Sequence, residues 1–312
     1  MNSQAKPVNS ALPAHSLSGE IKSIRRAAYF FLAPALIPIF VFFFVPALAA
    51  FLLSFTDFDI YSLGNFEYAR FVGLKNYRQL LDDPLFWKSM ANTFYYVLIG
   101  GPLSIAASLG TALLLNSKLM RFRSFFQTVY FAPVVTTLVA VAVVWRFLYH
   151  PRFGLLNYAL SFFGIAPIDW LGDPVWAMPA IILMSIWKNF GYNMIIFVAG
   201  LQNIPTQLYE AARMDGANAW QQFKSITLPM LAPTTVFVSI IAMIGNFQLF
   251  TEPYVMTQGG PVNSTLSIVL LMYQQGFRWW NLGYSAAIAF VLFGVILLGS
   301  LIQSRLQKRG EA

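Results

Sequence analysis

The chain has 312 residues, a formal net charge of +8, 58% hydrophobic residues and only 10% charged ones, where a soluble domain carries about 25% charged residues. That shortage of charge, with 17% aromatics, points to a bilayer as the main solvent, and basic residues scattered between apolar runs read as topogenic rather than as a nucleic-acid footprint. The absence of cysteine excludes disulfides, thiol catalysis and thiolate metal sites, and His15 in a polar stretch and His150 leave little for a histidine metal site.

Residues 1–26 are polar and rich in Ser, Ala and Pro, and read as a disordered cytoplasmic tail. The apolar run that follows, Ala27 to Thr56, is longer than a cleavable signal core. A spanning helix needs about 20 mostly apolar residues. Six segments qualify: 28–54, 92–115, 124–148, 176–200, 231–250 and 284–304. The stretch 262–277 has an apolar centre too short to span and is expected outside, as a short or half-inserted helix. Residues 116–123 make a tight loop. Loops 55–91, 149–175 and 251–283 are long, which marks function or disorder. The run GGPVNST, Gly259 to Thr265, is a turn signal.

Orientation follows the positive-inside rule. With the N-terminus inside, the inner segments hold Lys6, Lys22, Arg25, Arg26, Lys118, Arg121, Arg123, Arg213, Lys224, Arg305, Lys308 and Arg309. The outer loops hold only Arg70, Lys75, Arg78, Lys88, Arg152 and Arg278. Both termini are therefore expected in the cytoplasm. The expected organisation is a tail at 1–26, a first helix with its outer loop at 27–91, a helical core at 92–305 and a tail at 306–312.

The energy source is constrained by what the spans omit. Arg146 and Lys188 fall within them, but every acidic residue falls outside, with Asp57 and Glu252 only near the outer edge. A proton- or cation-coupled carrier generally needs intramembrane carboxylates, and no internal repeat suggests an inverted-repeat carrier. No Gly-rich loop ends in Lys-Ser/Thr, so the chain has no nucleotide site of its own. No metal cluster or nucleophile–base pair supports a membrane-embedded enzyme. Energy for uphill transport would have to enter from another subunit, through the cytoplasmic surface.

The segment between spans four and five suits that task. Pro205 favours a helix start that Thr206 can cap, and Gly216 can stop the helix in a left-handed turn. A second short helix then sets Trp220, Phe223 and Ile226 at three-residue spacing, and Pro229 closes the segment. The pattern EAARMDG, nine residues, ITLP is similar to the EAA loop of binding-protein-dependent ABC importer permeases, with Glu210, Ala211, Ala212, Gly216, Ile226, Leu228 and Pro229 at its positions and Asp215 beside them. LQNIPTQLYEAA before it and TQGGP (Thr257–Pro261) after span five resemble the sugar-permease branch, the maltose and glycerol-phosphate type. The likeness covers about residues 90–305. Without the additional N-terminal spans of the maltose subunit, the chain resembles the shorter six-span members.

The resemblance implies an all-α polytopic subunit of the type I importer fold in the bacterial cytoplasmic membrane, with segment 206–229 as coupling loop. It implies a second, homologous permease, two ATP-binding subunits that carry the ATP and Mg²⁺, and a soluble binding protein. No cofactor and no catalytic residue is expected in this chain. Span four has a polar centre of Lys188, Asn189, Tyr192 and Asn193, and span five offers Asn246 and Gln248. By resemblance, Asn189, Tyr192 and Asn246 correspond to solute-contacting positions. A lysine at bilayer centre must face protein or water, so the solute is expected to be a sugar or sugar derivative, an anionic one gaining a charge-assisted bond from Lys188. Trp187, Phe190, Phe247 and Phe250 are candidate rings for the sugar face. The other reading of these polar residues is interhelical glue. The alternative function is a self-contained carrier or channel for a small polar solute.

Overall fold

The computed structural model describes residues 14–117 and 120–310. Lys6, Lys118 and the chain ends at 1–13 and 311–312 lie outside the described residues. Among the described residues the chain is helical, with one isolated antiparallel bridge, Thr56 to Phe71. It divides into two units, residues 1–52 and 53–312.

The first unit holds α1 (Ala14–Ile39), continued through a wide turn at Phe40–Phe44 into α2 (Val45–Leu53), whose last residue begins the second unit. The helix is already formed at Ala14, inside the stretch expected to be a disordered tail. The wide turn ends two residues before Pro46, and the same arrangement recurs twice: Tyr96–Gly100 before Pro102, and Phe223–Thr227 before Pro229. Proline lacks an N–H and its ring clashes with the carbonyl four residues back. A π turn, which bonds five residues back, relieves that clash without ending the helix.

In the second unit, α3 (Ile60–Gly64), a turn at Phe66–Tyr68 and α4 (Lys75–Asp82) form an outer cap. Asp59 caps α3, and the backbone N–H of Ser62 holds its carboxyl below the usual aspartate range. The second span begins earlier than expected. It runs from Pro84 to Asn116 through α5 (Pro84–Tyr95), the π turn and α6 (Gly101–Asn116). The third span is not one rod. α7 (Arg123–Val135) and α8 (Leu138–Leu148) meet at 98°. Thr136 and Thr137 are both extended there, and the Thr136 hydroxyl donates to the Pro133 carbonyl at 2.6 Å. A threonine that bonds the preceding turn competes with the helix ladder.

After α9 (Leu155–Ser161) comes α10 (Ala177–Gln202), the most buried span. It packs on α6, α7 and α8, and on α14 (Ala232–Phe247) and α15 (Thr251–Met256) of span five. Lipid offers little hydrophobic driving force between helices, so close packing and interhelical hydrogen bonds hold them. Gly191 supplies the packing: a Cβ there would meet the Tyr130 carbonyl oxygen of α7. The Ser108 hydroxyl of α6 supplies a bond, donating to the Phe190 carbonyl at 3.0 Å.

The segment between spans holds α11 (Thr206–Met214), α12 (Ala219–Gln222), the π turn and α13 (Leu228–Met230). Span five is α14 (Ala232–Phe247) and α15 (Thr251–Met256), interrupted at residues 248–250. The stretch 262–277 forms α16 (Ile268–Tyr273) and a wide turn, Gln274–Arg278. Its helix packs into protein: Ile268, Leu270 and Leu271 are buried in a core with Leu80, Phe86 and Ile288. The last helix, α17, runs Leu282–Gly310 through most of the expected tail.

Candidate functional site

A cavity of about 360 Å³ lies where the two irregular spans face α10. Four of its walls carry the polar groups. The π turn and α6 supply Tyr96 and Ser104; α10 supplies Ser185, Asn189, Tyr192 and Asn193; α14 and the break supply Asn246, Gln248 and Phe250; α15 supplies Thr251 and Glu252. Non-helical backbone inside a membrane is tolerated where it lines a cavity or is buried in protein. Both conditions are met here. The Leu249 carbonyl, freed by the break, accepts from the buried Ser267 hydroxyl at 2.6 Å, and Gln248 and Phe250 open onto the cavity.

The structure brings Asn189, Tyr192, Asn193, Asn246 and Gln248 to this one cavity and leaves Lys188 out of its lining. Lys188 is 6% exposed, and its Nζ donates to the Val134 carbonyl at 3.1 Å. The last carbonyls of a helix have no intrahelical partner. The bend after Val135 strands those of α7; Thr136 takes one and Lys188 takes the next. A lysine there also suits the negative end of the helix dipole.

The expectation that every acidic residue falls outside the spans is wrong for Glu252. Glu252 lies within the apolar segment Ala232–Met256, is also 6% exposed, and is the opposite charge that acts on Lys188. The chain resumes its helix after the break, so the span is longer than its apolar run suggested. Ser185 Oγ donates to Glu252 Oε1 at 3.5 Å, and Tyr96 lines the same cavity as both residues. Missing carboxylates therefore no longer argue against a self-contained carrier. Ser185 was within reach of sequence reasoning, since Ser185, Lys188, Asn189 and Tyr192 share one helical face. Glu252 and Tyr96 carried no such periodic signal.

Of the four rings proposed for a sugar face, only Phe250 lines the cavity. Trp187 packs on Trp145, Phe190 on Tyr130, and Phe247 is buried against Phe94. Arg146 donates to the Val255 carbonyl at 3.3 Å.

The EAA segment is a compact double bend. Asp215 is the C-cap of α11, and Gly216 has φ +80°. Ala217 N–H donates to Ala212 O and Gly216 N–H to Arg213 O, the paired bonds of a Schellman motif. Asn218 then caps α12 reciprocally with Gln221. Thr206 makes no cap; Pro205 occupies that position without a side-chain bond. The expected second helix runs from Ala219 to Met230, widened by the π turn ahead of Pro229. Ile226 and Tyr209 pack against the core around Phe197 and Leu231, and the Tyr209 hydroxyl meets Thr227 Oγ1 at 2.9 Å. Glu210, Ala211, Asp215, Gly216, Leu228 and Pro229 are exposed and Ala212 is half-buried.

A helical bundle with an interrupted span, a central polar cavity and an exposed EAA segment defines a polytopic transport subunit. The chain belongs to the family described as binding-protein-dependent transport system inner membrane component, matched over residues 100–311. It is a permease subunit of an ABC importer, and not an enzyme. It is 37% identical over 302 residues to the arabinooligosaccharides transport system permease protein AraP of Bacillus subtilis, covering 96% of this chain and 94% of that one. It is 37% identical over 280 residues to the lactose transport system permease protein LacF of Rhizobium radiobacter, covering 88% and 92%. The fold matches a solved bacterial ABC transporter involved in import of the acidic polysaccharide alginate, with TM-score 0.80, 23% identity and coverage of 92% and 98%.

Proposed function

We propose that this subunit forms, with a second permease, the path for a saccharide that a soluble binding protein delivers from outside the bacterial inner membrane. The cavity carries the proposal: Asn189, Asn193, Asn246 and Gln248 present planar amides, Tyr96 and Tyr192 hydroxyls, and Phe250 a ring around one space. Amides both donate and accept, as sugar hydroxyls do, and a few placed polar groups in an otherwise apolar pocket are the usual form of a small-molecule site. Relatives named for arabinooligosaccharide and lactose transport support the same class. Two ATP-binding subunits dock on the exposed side of Thr206–Pro229 and supply ATP and Mg²⁺; this chain needs no cofactor. The test is uptake by the whole importer in proteoliposomes with its cognate binding protein. ATP-dependent accumulation of a neutral oligosaccharide such as arabinotriose or lactose is expected. ATP hydrolysis and uptake that no saccharide stimulates would overturn the reading.

A further inference from the structure

The sign of the charge a solute meets is opposite to the one the sequence suggests. Lys188 is not part of the lining, and its ammonium is held on the carbonyl of Val134, a residue of the cavity wall. Among the residues lining the cavity, Glu252 is the one with a charged side chain. We propose that Glu252 is a solute-binding residue through which this permease selects a neutral, hydroxyl-rich solute and rejects an anionic one. The proposal rests on the saccharide reading above.

Three observations carry it. Glu252 is buried yet lines the cavity, so it faces the guest rather than bulk water. Its one hydrogen bond from another described residue is the long one from Ser185, at 3.5 Å. An ionised carboxylate has about four acceptor positions, which leaves several for a guest. The remaining polar lining is ambivalent: the amides of Asn189, Asn193, Asn246 and Gln248, and the hydroxyls of Tyr96 and Ser185, donate or accept by rotating. When ionised, the carboxylate accepts without donating. A sugar hydroxyl can donate to it, whereas a carboxylate, phosphate or sulfonate on the solute meets like charge, the usual device for rejecting a wrong partner.

The rival explanation is that Glu252 merely balances Lys188. The two ideas separate in a double-mutant cycle. The purified permease–ATPase complex, arrested with ATP and vanadate, is equilibrated with tritiated arabinotriose, lactose or digalacturonate. Wild type is expected to retain a neutral probe and exclude digalacturonate. Glu252→Gln is expected to weaken neutral-probe binding about tenfold, the size of one hydrogen bond to a charged group, and to narrow the discrimination against digalacturonate. The double variant Lys188→Met with Glu252→Gln is expected to recover assembly but not neutral-probe binding. Unchanged binding in Glu252→Gln, or full recovery in the double variant, overturns the proposal. So does a wild-type preference for digalacturonate, which would leave the saccharide reading standing. Retention of none of the three probes removes the saccharide reading itself, and this inference with it. If Glu252→Gln does not assemble, Glu252→Asp decides: digalacturonate should stay excluded while neutral binding weakens, and unchanged neutral binding counts against the idea.

Discussion

Lys188 shows how far composition can mislead about a single side chain. A lone lysine in a span is read as a functional charge by default. Here its hydrogen bond goes to the stranded Val134 carbonyl, and Glu252 is the opposite charge nearby. Neither was visible in the sequence, because one depends on a bend in α7–α8 and the other on the helix resuming after residue 250. We propose that its role is positional, holding the end of α7 at the bend beside the cavity. Lys188→Met should leave a part-buried acceptor without its donor, at a cost of about 1 kcal/mol. Lys188→Arg keeps the donor and the charge. The expected result is a clear fall in melting temperature of the purified complex for Met and a smaller one for Arg. Equal melting temperatures for wild type and Lys188→Met would show that the bond contributes nothing.

Elements were readable in proportion to how local their causes are. The six apolar runs correspond to five helices and one bent pair, because spanning length is a local property of composition. Gly216 was readable as a helix stop, because a left-handed turn has a local residue preference. The interruptions were not. The 98° bend arises from adjacent threonines near a proline, and the break at 248–250 is held by Ser267 from another part of the chain. Sequence periodicity has no term for a bond made by a distant residue. The coupling segment permits a local test. Gly216 has φ +80°, and a Cβ there would meet nothing within 4 Å. Substitution should therefore act through the backbone alone. Gly216→Val should cost about 1–2 kcal/mol of left-handed strain, and Gly216→Asn less, since asparagine tolerates that region. Solute transported per ATP hydrolysed is expected to fall for Val and to stay near wild type for Asn. Equal coupling in all three proteins would mean that the turn is not needed in this form.

At the scale of the molecule, the coupling segment and the cavity share their supports. α10 carries Asn189, Tyr192 and Asn193 and leads through Pro205 into α11; α14 carries Asn246 and follows directly from α13. Both helices leaving the segment are thus cavity walls, and α10 is a continuous rod between the two sites. A push on the segment from an ATP-binding subunit would move both walls together, with no separate relay between them. This requires the segment to face the cytoplasm and the Thr257–Ser267 turn to face outward, as the distribution of Lys and Arg implies. The chain has no cysteine, so single introduced thiols report without background. Met214 is 89% exposed on the coupling segment and Val262 is 83% exposed on the turn. In membranes stripped of the ATP-binding subunits, Met214→Cys should react with an impermeant maleimide only in inside-out vesicles. Val262→Cys should react only in right-side-out ones. Restoring the ATP-binding subunits should slow labelling of Met214→Cys and leave Val262→Cys unaffected. Labelling of both thiols from one face would reverse the topology. Unaltered reactivity of Met214→Cys beneath bound ATPases would place their docking surface elsewhere, and the shared-support route from segment to cavity would lose its starting point.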